Sequence, residues 1–348
     1  MRAVIIQTAF LGDAILTTPM FAAFKRFFPD SYLAAVVKPD AAQVLKGLPY
    51  LDEIISFDKK KSHRGISGLR KLAADLQSRD FDILLSPHSS YRTAFLSRLS
   101  KIPERYGYLD ASFSRIAYNH RLPRHSSQPE ILRLLSFLSD SVCPDASKAS
   151  TDLVLAEDQA CVLEAESVLR KHEASRPILL APSSVWATKR WTPAGFAELA
   201  GKLVRKHKCK ILLVGSPSDK AICEQVMAFI RDLQPLFVQD RVTVAAGETS
   251  LRGFYSLVKR SRLLVSNDSA PVHYACAAKT PVVALFGPTV PALGYAPITK
   301  NSRIAEINLA CRPCGTHGGK VCPLSHFRCM KELTADMVMA KVSELLPE

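Results

Sequence analysis

Residues Ser261–Pro291, SRLLVSNDSAPVHYACAAKTPVVALFGPTVP, decide the fold. Arg262–Ser266 is a short apolar run of strand length. Asn267, Asp268 and Ser269 are cap-type residues, and Pro271 suits a first helical position, where its missing N–H costs nothing. His273 falls in the first turn. Thr280-Pro281 stops the helix, and Val282–Phe286 is a β-branched and aromatic run, a second buried strand ended by Gly287-Pro288-Thr289. Strand, turn, helix, strand is a βαβ unit. A helix that starts just past a strand's carboxyl end presents free N–H groups and a positive dipole end, which suit a diphosphate. Asp268 stands too close to such an anion to bind it. It is placed to accept hydrogen bonds from a sugar or ribose hydroxyl, or simply to cap the helix. An ordinary capped helix in an α/β sheet fits the same residues.

Working back from this stretch, the same alternation recurs. Ile178–Ala181 reads as a strand that runs into Pro182-Ser183-Ser184, whose hydroxyls suit phosphate oxygens. Lys189 and Arg190 can neutralise a diphosphate. Thr192-Pro193 is an N-cap followed by an N1 proline. Lys210–Val214 is a further strand, ending in Gly215-Ser216-Pro217-Ser218-Asp219. Val242–Ala245 and a helix over Leu251–Lys259 complete the series. Strand ends near Ser183, Ser216 and Asp268 converge on one crevice, where open α/β sheets bind ligands.

The amino-terminal half repeats the pattern. Arg2–Thr8 is a buried strand feeding Phe10-Leu11-Gly12-Asp13. Gly12 allows a tight turn or close ligand approach. Asp13, at a strand's carboxyl end, is a candidate general base or a helix cap. One glycine is no G-x-G-x-x-G fingerprint, which disfavours a dinucleotide enzyme. Phe21, Phe24 and Phe28 form a helical stripe, for the core or for a lipid surface. Strands are expected at Tyr32–Val37, Ile54–Phe57 and Asp82–Leu85, with helices at Gly68–Leu76 and Tyr91–Leu99. Lys59, Lys60, Lys61 and Arg64 lie in a basic loop after a strand's carboxyl end and Arg92 follows, a set that suits a phosphate or carboxylate of a substrate, and His88 follows a strand end; solvated charge explains the basic run equally well. Leu122–Ser150, rich in Pro and Ser around a helix at Glu130–Leu138, reads as a boundary, and Asp158–His172 as a linker helix. The organisation expected is a first Rossmann-like domain over 1–155, a linker helix over 156–175, a second domain over 176–332, and a last helix over 333–348.

The 348 residues are 47% hydrophobic, enough for two sizeable cores. Net charge is +14, which favours an anionic partner: nucleic acid, a phosphorylated substrate or an acidic membrane surface. No secretory signal and no bilayer-length apolar run are read, so a cytoplasmic protein, at most peripheral to a membrane, is expected. Of nine cysteines, Cys143, Cys161, Cys209, Cys223 and Cys276 are scattered packing residues. Cys311, Cys314, Cys322 and Cys329, with His326, have spacing compatible with structural zinc, with packing, or with reversible disulfides. Zinc and basic charge together give one alternative, a zinc-dependent nucleic-acid-binding protein, though no nucleic-acid fold signature is present.

Four stretches resemble glycosyltransferase family 9, the ADP-heptose:lipopolysaccharide heptosyltransferases: Phe10–Pro19; Ala181–Ser184 with Lys189-Arg190-Trp191; Asn267–His273 through Ala284–Thr289; and Cys311–Met330. The resemblance implies a GT-B fold, two Rossmann-like α/β domains facing a cleft, with the last helix crossing back to the first. It implies inverting transfer of L-glycero-D-manno-heptose from ADP-heptose to a lipid A-Kdo type acceptor at the membrane surface, with no cofactor required. Asp13 matches the proposed base. Ser183, Ser184, Lys189, Ser216, Asp268, Ser269, Ala270 and His273 would hold the donor, and Gly12, Lys60, Lys61, Arg64, His88 and Arg92 the acceptor. The chain departs from the family at Ala270, where Gly is common, and at Pro271, which bears on the phosphate-loop geometry and leaves a different nucleotide sugar or acceptor glycan as the alternative.

Overall fold

A computed structural model describes residues 1–346. The chain divides into two compact units between Ala156 and Glu157.

The first unit is a six-stranded parallel sheet: β1 (Arg2–Gln7), β2 (Tyr32–Val37), β3 (Glu53–Ser56), β4 (Ile83–Ser86), β5 (Glu104–Tyr108) and β6 (His120–Leu122), in the order β3-β2-β1-β4-β5-β6. β1 and β2 are continuous apolar runs because helices cover both faces of the sheet. Phe21 and Phe24 are wholly buried, and Phe28 packs its ring on Phe24 at 5.2 Å. Full burial of such a side chain stabilises by about 1.5–3 kcal/mol, so the stripe is core and not a lipid face. β5 and β6 were not expected. β6 is the edge strand and β5 its neighbour; both carry polar residues, and Tyr106 stacks on His120 at 4.3 Å across the pair. Leu122–Ser150 is no boundary either: the helix Glu130–Ser141 buries Ile131, Leu134, Leu135, Phe137 and Leu138 in this unit. Its flanking prolines and serines punctuate loops around an amphipathic helix.

The second unit repeats the topology. β7 (Ile178–Ala181), β8 (Ile211–Leu213), β9 (Val242–Val244), β10 (Leu263–Asn267), β11 (Val282–Leu285) and β12 (Ser302–Ala305) run parallel in the order β12-β11-β10-β7-β8-β9. Counted from its own first strand, this is the arrangement of the first unit. The expected linker helix, Gln159–Lys171, belongs here and packs on the helix Leu251–Lys259; Asp158 caps it through the Cys161 N–H at 3.0 Å and bonds Arg252 at 2.7 Å. Thr192 caps the helix Pro193–His207 as read from sequence. The last helix, Ala335–Ser343, expected to cross to the first unit, buries Ala335, Val338 and Val342 in the core of the second.

In each unit the strand order reverses beside the first strand, between β1 and β4 and between β7 and β10. The carboxyl ends of strands at such a reversal leave a crevice between outgoing loops, and ligands bind there. Asp13 and His88 follow β1 and β4. Ser183 and Asp268 follow β7 and β10.

Candidate active site

The reversal in the second unit is held by Asn267, which is fully buried. Its amide donates to the Pro182 carbonyl at 2.8 Å, and its carbonyl accepts the Trp191 N–H at 2.9 Å. One side chain thus fixes the exits of β7 and β10 and the loop that carries Lys189. Asp268 is the next residue. Lys189 Nζ lies 2.5 Å from Asp268 Oδ2, and Thr289 Oγ1 donates to the same oxygen at 2.7 Å. The Asp268 side chain is 8% exposed and that of Lys189 13%, so the charges meet where solvent screens them weakly. Asp268 therefore does not cap the following helix, Ala270–Ala278; Ser269 is the cap residue, with its hydroxyl on the Asn267 carbonyl at 3.2 Å. Ala270 opens the helix and Pro271 follows, which removes one N–H from the helix start. His273 is buried, and burial pushes its pKa down to about 4 although Asp268 pulls the other way. It is a neutral imidazole at physiological pH.

Ser183 and Ser216 meet at Asp219, a residue not expected in the site. Ser183 Oγ donates to Asp219 Oδ1 at 2.5 Å, and the N–H and hydroxyl of Ser216 donate to Asp219 Oδ2 at 2.8 and 2.7 Å. Asp219 therefore ties together the exits of β7 and β8. Ser184 offers its carbonyl to Arg190 Nε at 2.8 Å. Thr289, read only as part of a turn, is the second hydrogen-bond donor to Asp268.

In the first unit, Asp13 lies in the short helix Leu11–Leu16 directly after β1, and its Oδ2 accepts the Phe10 N–H at 2.9 Å. Gly12 sits inside that helix, not in a tight turn. Glu130 and Arg133 form a buried ion pair nearby. Burial raises the Glu130 pKa, Arg133 opposes the rise, and the Asp13 charge adds to it.

Cations gather beside this carboxylate's strand. Lys59 Nζ donates to Thr8 Oγ1 at 3.1 Å and to the Thr8 carbonyl at 3.4 Å. Burial, followed by the charges of Lys38 and Arg92, pushes its pKa down to about 8. Lys38 Nζ stands 4.7 Å from the centroid of the Phe10 ring. His88 Nδ1 bonds the hydroxyls of Thr93 and Thr8 at 3.1 and 3.4 Å. Burial and then Lys59, Lys38 and Arg124 push its pKa down to about 4, so His88 orients hydroxyls and carries no charge. Of the basic residues expected here, Arg92 joins this group. Lys60 and Lys61 are exposed, with their N–H groups on Asp58 Oδ1 at 2.9 and 3.1 Å, and Arg64 is exposed just before the helix Gly65–Gln77. Lys38 and Arg124 were not singled out from the sequence; Lys59 was read as part of the basic loop but not among the residues expected to bind. Lys59 opens the Lys59-Lys60-Lys61 run.

A model of glycosyltransferase family 9 (heptosyltransferase) matches residues 69–324. The chain belongs to glycosyltransferase family 9. Among its relatives, lipooligosaccharide heptosyltransferase 2 of Campylobacter jejuni is 22% identical over 346 residues, covering 99% of each chain. The glycosyltransferase family 9 structure from Veillonella parvula superposes with a TM-score of 0.85 at 22% identity, over 99% of this chain and 96% of that one. Escherichia coli heptosyltransferase WaaC with ADP-2-deoxy-2-fluoro heptose gives 0.71 at 19% identity, over 99% of this chain and 100% of that one. The fold is thus that of the GT-B heptosyltransferases, and the family makes this chain a glycosyltransferase. That assignment displaces the nucleic-acid-binding alternative.

Among the described residues, no three His, Cys, Asp or Glu side chains are placed to hold one ion. Cys311 Sγ lies 3.9 Å from His326 Nε2, and the Cys314 thiol donates to the Cys311 carbonyl at 3.4 Å. The five scattered cysteines are buried thiols. No helix among the described residues is long and apolar enough to cross a membrane.

Proposed function

We propose that the protein transfers L-glycero-D-manno-heptose from ADP-heptose to the inner core of lipopolysaccharide, with inversion at the sugar carbon. Asp13 takes the proton of the acceptor hydroxyl, the acceptor oxygen bonds to C1 of the heptose, and the bond from C1 to the diphosphate oxygen breaks, releasing ADP. Lys189 meets the charge that develops on the leaving diphosphate. The observation that carries this reading is the Lys189–Asp268–Thr289 cluster at the β7/β10 reversal. It sets a cation for the diphosphate beside a carboxylate for sugar hydroxyls. The heptose-nucleotide analogue named with the Escherichia coli WaaC structure supports the choice of donor.

On the acceptor side, Lys38, Lys59, Arg92 and Arg124 suit the carboxylates and phosphates of a Kdo-bearing lipid A. Tyr91, Phe95, Leu109, Phe113 and Ile116 are exposed in the same unit, with Arg98 and Arg115 exposed among them. Apolar side chains interspersed with arginine suit the headgroup boundary of an anionic inner leaflet, which fits an acceptor held in a membrane.

Thermal stabilisation by ADP, UDP, GDP, CMP, NAD and ADP-heptose tests the donor. A ligand at about 100 times its dissociation constant adds about 2.7 kcal/mol to folding stability. ADP and ADP-heptose should stabilise and the others should not. A preference for UDP or GDP would replace the heptose donor, and no response to any nucleotide would overturn the reading.

Lys59 gives the acceptor step a pH dependence. Its ammonium is charged below about pH 8 and lost above it, so its attraction for an anion is full at neutral pH and fades as pH rises. Acceptor KM should climb from about pH 7 to about pH 9 while donor KM stays level, and Lys59→Arg should flatten the climb. An acceptor KM in the parent protein that does not change over this range would remove Lys59 from the acceptor site.

A further inference from the structure

Lys189 lies in a three-residue 3-10 turn, Ala187–Lys189. Such a turn has few bonds of its own and takes its position from what it touches. What it touches is the cysteine-rich segment. The Thr188 N–H and hydroxyl both donate to the Gly319 carbonyl at 3.1 Å, and the Gly319 N–H donates back to the Thr188 hydroxyl at 2.7 Å. Thr188 is buried. His317 stacks on Trp186 at 5.9 Å between ring centroids. A Cβ on Gly318 would lie 2.5 Å from Trp186 Cβ and 2.9 Å from Lys189 Cγ, so the backbone there is pressed against the lysine stem itself.

The segment also grips the other side of the cluster. The Arg312 side chain is buried, with Nη2 donating to the Thr289 carbonyl at 2.8 Å and to Glu306 Oε2 at 2.6 Å, and with Nε on the Gly287 carbonyl. The Cys314 N–H donates to the Pro288 carbonyl at 2.8 Å. Thus the loop of Lys189 and the loop of Thr289, whose side chains meet on Asp268, are both bonded to residues 311–319.

We infer that the segment Cys311–Cys329 is a positioning brace for the donor cation, with Thr188 and Arg312 as its two points of attachment. This rests on the reading of Lys189 as a donor-site residue. The brace fixes where the Lys189 ammonium stands, so the Thr188 hydroxyl, which both donates and accepts, sets donor affinity through Lys189.

The test is ADP affinity by calorimetry, together with donor and acceptor KM, for Thr188→Val, Thr188→Ser, Lys189→Ala and the double variant Thr188→Val/Lys189→Ala. Valine keeps the shape and loses both hydrogen bonds. Thr188→Val should weaken ADP binding by about tenfold, as expected for the loss of about 1.4 kcal/mol, with acceptor KM unchanged. Serine keeps both bonds and should restore affinity to within about twofold of the parent. The double variant should bind ADP no more weakly than Lys189→Ala alone, because a residue that acts through lysine has nothing to act on once lysine is gone. Parental affinity in Thr188→Val, or losses that multiply in the double variant, would overturn the brace. Unchanged affinity in Lys189→Ala would instead overturn the donor reading beneath it. If Thr188→Val does not fold, Gly318→Ala reads the same contact from the other side. It should weaken ADP at least as much, and parental affinity there would count against the proposal equally.

Discussion

Asp13→Asn should lower turnover by about 10²–10⁴-fold, the usual worth of a positioned general base, and leave ADP affinity within about twofold of the parent. The substitution is close to a single-function change. Asparagine keeps a carbonyl oxygen for the Phe10 N–H that Asp13 now binds at 2.9 Å, so the start of the helix Leu11–Leu16 is retained. What is lost is the ability to take a proton. Stability gives an internal control. Asp13 is one of the charges that raise the pKa of buried Glu130, so the neutral amide relieves a repulsion on the Glu130–Arg133 pair. The melting temperature should hold or rise slightly while turnover collapses. A variant that melts like the parent and keeps more than about a tenth of its turnover would exclude Asp13 as the base.

Lys189→Ala should have the second large effect, on two readouts at once. In the parent the ammonium stands 2.5 Å from Asp268 Oδ2, and both side chains are largely buried. Removing one partner of a buried pair costs about 3–5 kcal/mol, because the other charge is left uncompensated. Lys189 keeps some solvent contact, which places the loss near the lower end. Only the Thr289 hydroxyl then remains on that carboxylate oxygen. For the donor the change is worse than a missing cation, since an unneutralised carboxylate now faces an anionic diphosphate. ADP affinity should fall by at least about 100-fold, equivalent to about 2.7 kcal/mol. Adding Asp268→Asn to Lys189→Ala separates the two effects: it should recover most of the melting temperature and little of the affinity. ADP binding within about threefold of the parent in Lys189→Ala would take the lysine out of the donor site.

Local pattern carried much of the fold and less of the site. The stretch Ser261–Pro291 yields β10, its helix and β11 within about one residue, because doubly covered strands are uniform apolar runs and caps have their own chemistry. β5, β6 and β12 were missed for the complementary reason: they lie toward or at the sheet edges, and residues such as Glu104, Arg105, His120 and Arg303 are polar where a central strand would be apolar. At the site, the cap-type residues after β7 and β10 were legible as a candidate cluster, but their partners were not. Lys189 and Asp268 are 79 residues apart, and Ser183 and Asp219 are 36 apart. These pairs exist because β10, β7 and β8 are neighbours in the sheet, and no local window contains that order. Arg312 is the clearest case: nothing local singles it out, yet its side chain is buried and bonded to the loop of Thr289.

The position of the last helix has a consequence for how the chain is made. All six strands of the first sheet lie within Met1–Ala156, so that unit holds everything its core requires once those residues have left the ribosome. The second unit has no such freedom. Ala335, Val338 and Val342 fill its core from a helix that follows the last of its strands, so its apolar interior stays open until that helix has been made. The first core can thus close while the chain is still growing, and the second only after the helix Ala335–Ser343 has emerged.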